Sequence, residues 1–257
     1  MNPLETGSVE AGNIWISSAM KSGSTHMTNI FRRLGYTLGS THMFIDGYWN
    51  EDQDVSPQAA QYLFTMQGFV FHHHTRAIGR TVPVLANYGI RPIIPIRNVF
   101  DSLVSFIDGA NVSFGIDITG GNQRVYLALH TPSWNYLDEE QKLRWAVFNM
   151  IPWYFSFYAS WLDSKLPYLF VHYEKFFEDQ IAGVREIINH VGAKTPVPAT
   201  DEYLKDITAH KDGKFNKGVS GRGSALPGWV FDHVYAHAES WGPGYYEPIK
   251  KTLLDRR

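Results

Sequence analysis

Four short apolar runs punctuate this chain, and after each the apolar residues change from strand-like spacing to helical spacing. Residues 13–17 (NIWIS) form the first run. A polar loop follows, and Met27, Ile30, Phe31 and Leu34 then fall at i, i+3, i+4, i+7, one face of a helix that Gly35 is placed to end. Residues 68–72 precede a short helix expected near 82–88. Residues 92–96 (PIIPI) precede Phe100, Leu103, Val104 and Ile107, again at helical spacing. Residues 168–173 (YLFVHY) precede a helix over 174–191 that Gly192 should end. Longer helices are expected over 139–162, with a possible break at Pro152, and around 229–241. Strands alternating with helices require crossover connections, so the expected class is α/β, three-layer, with a mainly parallel sheet flanked by helices. Pro95 lacks a backbone donor, which argues against a central, fully paired place for its strand. Asn98 and Asp101 resemble a capping pair at the helix after it.

Composition narrows the function classes. With 257 residues, 44% hydrophobic and 19% charged, the chain suits one large domain over 1–257, with 1–12 as a flexible N-terminus. A formal net charge of -2 provides no basic field for nucleic acid or an anionic membrane. Cysteine is absent, which excludes disulfides, thiolate metal sites and cysteine nucleophiles. Residues 1–12 are acidic rather than apolar, unlike a signal peptide, and no run of about 18 apolar residues could span a bilayer. A cytoplasmic location is expected. The oligomeric state is not fixed by the sequence.

Three separated segments carry anion-binding chemistry. The first is Lys21-Ser22-Gly23-Ser24-Thr25, between an expected strand and helix. A helix N-terminus offers unpaired N–H groups and the positive end of the dipole; Gly23 permits positive φ, the hydroxyls add donors and Lys21 adds charge. The lysine precedes the glycine, so this is not the GxxxxGK[ST] loop of ordinary ATP or GTP sites. A capped polar loop would have the same composition. The second segment runs from Arg97, at a strand end, to Ser105, two turns into a helix. A guanidinium and a hydroxyl there suit a phosphate monoester, although Arg97 could equally pair with Asp101. The third is Asn216-Lys217-Gly218 within a glycine-rich stretch at 213–223 that also holds Arg222.

In this order the segments resemble the PAPS-dependent sulfotransferase family, whose fold is P-loop NTPase-like and which uses 3′-phosphoadenosine-5′-phosphosulfate (PAPS) and releases 3′-phosphoadenosine-5′-phosphate (PAP). Residues 21–25 resemble its PKSGTTW loop, which implies that Lys21, Ser22, Gly23, Ser24 and Thr25 hold the 5′-phosphosulfate. Residues 97–105 resemble its RNxxDxxVS segment, which implies that Arg97 and Ser105 hold the 3′-phosphate. Asn216, Lys217 and Gly218 resemble its RKG segment, a further 3′-phosphate contact. Residues 169–174 (LFVHYE) resemble the family's strand ending in Tyr-Glu, which places Tyr173 beside adenine. The departures are His26 where many members stack a Trp on adenine, Met20 for the Pro before the loop lysine, Asn216 for an Arg, and Arg222-Gly223 for Asp-Trp. Arg222 is the candidate to return the charge lost at Asn216.

Sulfuryl transfer needs a base for the acceptor proton and a cation for the leaving phosphate. Lys21 suits the cation. The base is expected among His72, His73 and His74, which precede Arg97 by 23 to 25 residues. On a strand His72 and His74 share a face and His73 points away. His74 is the first choice because His74-Thr75-Arg76-Ala77 resembles the corresponding region of bacterial relatives; His72 is second. No metal is expected. The implied reaction is transfer to a hydroxyl or amine of a small-molecule acceptor, with segments 41–49 and 108–137 expected to shape its pocket. A P-loop kinase and a nucleotide-binding module without catalysis remain open alternatives.

Overall fold

The computed structural model describes residues 12–39, 55–114, 134–192, 194–210 and 220–255. Five strands form one sheet: β1 (Ile14–Ser17), β2 (Thr37–Gly39), β3 (Phe69–His73), β4 (Ile93–Ile96) and β5 (Leu169–His172). Their order is β2-β3-β1-β4-β5 and every pairing is parallel. The chain fills one side of β1 with β2 and β3, then crosses to the other side for β4 and β5. In such sheets the crevice at the carboxyl ends of the strands flanking the reversal receives ligands, and here those strands are β1 and β4.

Strand alternation divides the core into two. Trp15, Phe71, Ile94 and Ile96 face one layer, with α4 (Val99–Phe114), α5 (Glu139–Leu162) and α9 (Gly228–Ser240). Ile14, Ile16, Val70, Ile93 and Val171 face the other, with α1 (Ser24–Arg33), α7 (Gln180–Val191) and α8 (Asp201–Ala209). The expected positions Met27, Ile30, Phe31 and Leu34 all lie in this second core. Burial on both faces explains why the strand runs read as continuous apolar stretches. Gly35 has a φ of 89° and Gly192 one of 70°, the left-handed values that end a helix.

Four expectations need correction. β4 is an interior strand despite Pro95. Its ladder to β1 is registered only at Ile16↔Ile93, while Pro95 lies opposite Val171 of β5, so no donor toward β1 is needed at that residue. Helix α5 runs through Pro152 without interruption, its start fixed by a capping box between Asp138 and Gln141. The helix expected over 174–191 is two: α6 (Tyr173–Glu178) stops at Asp179, whose side chain caps α7 by accepting from the Ala182 N–H at 2.9 Å. Asn98 caps α4 by accepting from the N–H groups of Phe100 (3.0 Å) and Asp101 (3.2 Å), but Asp101 does not reciprocate. It reaches across the molecule instead. The short elements β2, α2 (Pro57–Phe64), α3 (Thr81–Asn87), α8 and α10 (Pro243–Ile249), of which only α3 is expected from the sequence, and helical turns at Trp134–Tyr136, Arg222–Ala225 and Lys250–Leu254 complete the described elements.

Candidate anion and catalytic site

The loop between β1 and α1 has its carbonyl groups tied down from behind. Ser22 Oγ donates to Ala19 O at 2.6 Å, Tyr154 Oη to Met20 O at 3.1 Å, and Arg97 Nη1 to Lys21 O at 3.3 Å. In a trans peptide the next residue's N–H points opposite to the carbonyl. The N–H groups of Met20, Lys21 and Ser22 therefore turn away from these partners, and among the described residues none donates to another protein group. Lys21 (φ 63°) and Gly23 (φ 84°) both occupy left-handed backbone, and Gly23 is the N-cap of α1. A lysine held there stores strain that packing must overcome. Alternating left-handed residues ahead of a helix N-terminus form a concave nest of amide donors, a geometry suited to phosphate or sulfate oxygens. Ser22 and Ser24 are buried within it, Thr25 is exposed and Lys21 is partly buried.

Arg97 follows β4 and is 6% exposed. Its guanidinium stacks 4.0 Å above the Tyr173 ring and lies 3.9 Å from Asp101. That separation is at the edge of ion pairing, because the Asp101 carboxylate is engaged elsewhere: it accepts from the N–H groups of Gly221 (2.8 Å) and Gly223 (2.7 Å). The glycine at 223 is required by contact, since a Cβ there would lie 2.4 Å from Phe100 Cβ and 2.6 Å from its carbonyl carbon. Arg222 Nη2 pairs with Asp108 at 2.5 Å, so Arg222 answers a carboxylate on α4. Asp101, Ser105 and Asp108 fall at i, i+4, i+7, and the residue 220–223 segment is thereby fastened along the helix face that carries Ser105. Ser105 itself is buried. The expected contacts Asn216, Lys217 and Gly218 lie outside the described residues, as do segments 1–11, 40–54 and 115–133.

Lys21 and Arg97 thus meet at the carboxyl ends of the adjacent inner strands β1 and β4. The Lys21 ammonium is held below its usual pKa of 10.5, first by burial and then by the Arg97 charge, with Asp108 opposing. A lysine whose charge is disfavoured by burial and by a neighbouring guanidinium, set beside outward amides, fits an anion, whose charge would relieve the repulsion.

The histidines stand at the carboxyl end of β3, next to β1. His73 is buried in the core, stacked at 4.5 Å on Trp15. His72 and His74 share the opposite face, ring centroids 5.4 Å apart, and both meet Ser18, the first loop residue. His74 Nδ1 lies 2.7 Å from Ser18 O. A carbonyl can only accept, so Nδ1 carries the proton and Nε2 is the basic nitrogen of the neutral ring. Burial lowers the pKa of His74, partly offset by that hydrogen bond, which keeps the imidazole neutral near pH 7. His72 Nε2 is 3.2 Å from Ser18 Oγ, which donates to Ser24 Oγ at 3.0 Å. Ser18 was not singled out by sequence, and a lone serine at a strand end carries no signal that would single it out. Among the described residues no group of three or more His, Asp or Glu side chains gathers as for a metal ion, so a metal pair at His72 and His74 finds no third ligand there.

The aromatic residues lie beside Gly23. A Cβ at Gly23 would come within 2.8 Å of the Tyr173 ring and 3.2 Å of Phe177. His26 is buried, stacked 5.3 Å from Phe177, with Nε2 2.7 Å from Gln180 Oε1. The amide oxygen accepts, so Nε2 of His26 bears the proton. His26, Phe177 and Tyr173 form one packed aromatic row behind the loop, with Arg97 on its end.

No known family profile and no curated protein sequence matches this chain. Solved structures do. A mouse sulfotransferase, SULT7A1, complexed with PAP superposes with a TM-score of 0.59 at 15% identity, covering 94% of this chain and 89% of the mouse chain. A retinol dehydratase in complex with retinol and PAP gives 0.56 at 13%, covering 96% and 84%. A sulfotransferase from Alicyclobacillus acidocaldarius gives 0.50 at 14%, covering 94% of both chains. None of the helices among the described residues is long and apolar enough to cross a membrane. The chain therefore has the sulfotransferase fold, a P-loop-like α/β architecture whose described strands are all parallel and whose β1–α1 loop follows the central strand.

Proposed function

We propose that this chain is a sulfotransferase that moves the sulfuryl group of PAPS to a hydroxyl or amine of a small-molecule acceptor and releases PAP. The observation that carries the reading is that Arg97, 76 residues away, braces the Lys21 carbonyl and so turns outward, beside the lysine, amides with no protein partner among the described residues. Similarity in fold to proteins crystallised with PAP supports the choice of nucleotide, and a neighbour holding retinol supports a small-molecule acceptor.

When bound, PAPS supplies a sulfuryl group already attached to a phosphate leaving group. The amides of residues 20–22 and the Ser24 hydroxyl orient the 5′ end, while the Ser22 hydroxyl braces the loop through Ala19 O. Lys21 meets the negative charge that grows on the phosphate oxygen as its bond to sulfur breaks. Arg97 and Ser105 hold the 3′-phosphate, with Asn216, Lys217 and Gly218 completing that contact; His26 and Tyr173 border the adenine. His74 Nε2 takes the acceptor's proton as the new sulfur–oxygen or sulfur–nitrogen bond forms. The Ser18 carbonyl keeps the ring in the tautomer that can do so, and it stabilises the imidazolium that results. His72 is the second candidate for that proton. Because positioning and charge do most of the work, the chain needs little covalent chemistry of its own.

The test is turnover of PAPS with a panel of phenols, alcohols and amines, run beside ATP with Mg²⁺. PAP release that depends on an acceptor supports the proposal. Phosphoryl transfer from ATP would replace it with a kinase reading, and PAP binding without turnover on any acceptor would leave a binding module.

A further inference from the structure

Gly109 sits in the interior of α4 with no left-handed φ, a place where alanine would be the better helix former. Such a glycine calls for a reason, and packing provides one. A Cβ built at Gly109 would lie 2.7 Å from Lys21 Nζ and 3.6 Å from Lys21 Cε, and among the described residues no other atom outside its chain neighbours and the helix's own backbone would lie within 4 Å. The space left by the missing side chain is thus filled by one group, the ammonium of the loop lysine. Gly109 follows Asp108, whose charge favours the protonated lysine while its carboxylate also holds Arg222. It lies one turn beyond Ser105 and two beyond Asp101, on the helix face that meets the loop and the residue 220–223 segment.

We propose that Gly109 is a positioning residue that seats the Lys21 ammonium on α4. The left-handed backbone at Lys21 launches the side chain toward the helix, and only a glycine there lets it come to rest against the helix backbone next to Asp108. A methyl group would force Nζ out by roughly an ångström, and misplacement on that scale is enough to disable a charged contact. The inference rests on the role given to Lys21 above, and the test separates the two.

The experiment is a double-mutant cycle with Gly109→Ala, Lys21→Ala and the pair, read by calorimetric titration with PAP, thermal unfolding, and the pH dependence of Lys21 acylation followed by mass spectrometry. Gly109→Ala should keep or raise Tm, by about 2 °C for a helix-interior change in a chain of this size. It should weaken PAP roughly tenfold or more, the scale of one charge-assisted contact. It should also move the Lys21 titration. In the Lys21→Ala background it should add nothing. If Lys21→Ala weakens PAP but Gly109→Ala leaves both PAP affinity and the Lys21 titration unchanged, the seat is refuted and the function stands. The same loss from Gly109→Ala with and without Lys21, or a lowered Tm, would make the glycine merely structural and also refutes the seat. If Lys21→Ala itself leaves PAP affinity unchanged, the role given to Lys21 fails first.

Discussion

Asp101→Asn is the sharpest probe of how the site is assembled, because it preserves shape and changes only charge and donor pattern. The two carboxylate oxygens of Asp101 accept separate backbone N–H groups, from Gly221 at 2.8 Å and Gly223 at 2.7 Å, in a setting where the aspartate is 3% exposed. An asparagine can satisfy only one of them; whichever way the amide turns, its NH₂ faces the other N–H. A hydrogen bond to a charged group contributes about 1.5–3 kcal/mol, and a buried donor left facing a donor costs about 1–3 kcal/mol. Allowing for relaxation, the segment should loosen by roughly 2–4 kcal/mol, which is about 30- to 700-fold in a local opening equilibrium. Native-state hydrogen exchange at the Gly221 and Gly223 amides reads that quantity directly. Faster exchange confined to those amides and their neighbours, with β1 and β3 protection unchanged, is the expected result. Wild-type exchange at both glycines would refute the claim that Asp101 fastens this segment to α4.

Two further outcomes follow from the site. Lys21→Ala and His74→Ala should each lower kcat by roughly 100-fold or more, with His72→Ala less affected; wild-type kcat in His74→Ala together with a loss in His72→Ala would move the base to His72. His74 has a folded-state pKa below its usual 6.5, so the unfolded chain binds the proton first as pH falls and the stability it contributes, complete above that value, is lost progressively below it. Thermal unfolding between pH 7.5 and 5 should show Tm falling, less steeply in His74→Gln; an identical slope in the variant would contradict the assignment.

Four of the five described strands and the loop proposed to hold an anion are legible in the sequence because they are written in local patterns. Apolar runs shorter than a helix and residues at 27, 30, 31 and 34 are read within a window of a few residues. Arg97 and Lys21 were legible by chemistry and by resemblance, and the structure brings them together. What escaped is what depends on distance along the chain. Asp101 reads as a helix cap from its neighbours, yet its partners are 120 and 122 residues away. Gly109 reads as a weak point in a helix until Lys21 is seen against it. Pro95 reads locally as a missing donor, whereas the register to β1 decides whether that donor matters. The left-handed lysine has no signature, because φ at Lys21 is imposed by carbonyls anchored to Tyr154, Arg97 and Ser22. The split between α6 and α7 turns on one side chain, Asp179, which offers its backbone an alternative to continuing the helix.

The central claim is that cations from two segments grip a nucleotide phosphorylated at both ends of its ribose. Calorimetric titration of the wild type and Arg97→Ala with PAP and with 5′-AMP, which lacks only the 3′-phosphate, tests it most directly. PAP should bind the wild type at least about tenfold more tightly than 5′-AMP, and Arg97→Ala should narrow that difference. Equal affinity of the wild type for the two nucleotides would contradict it.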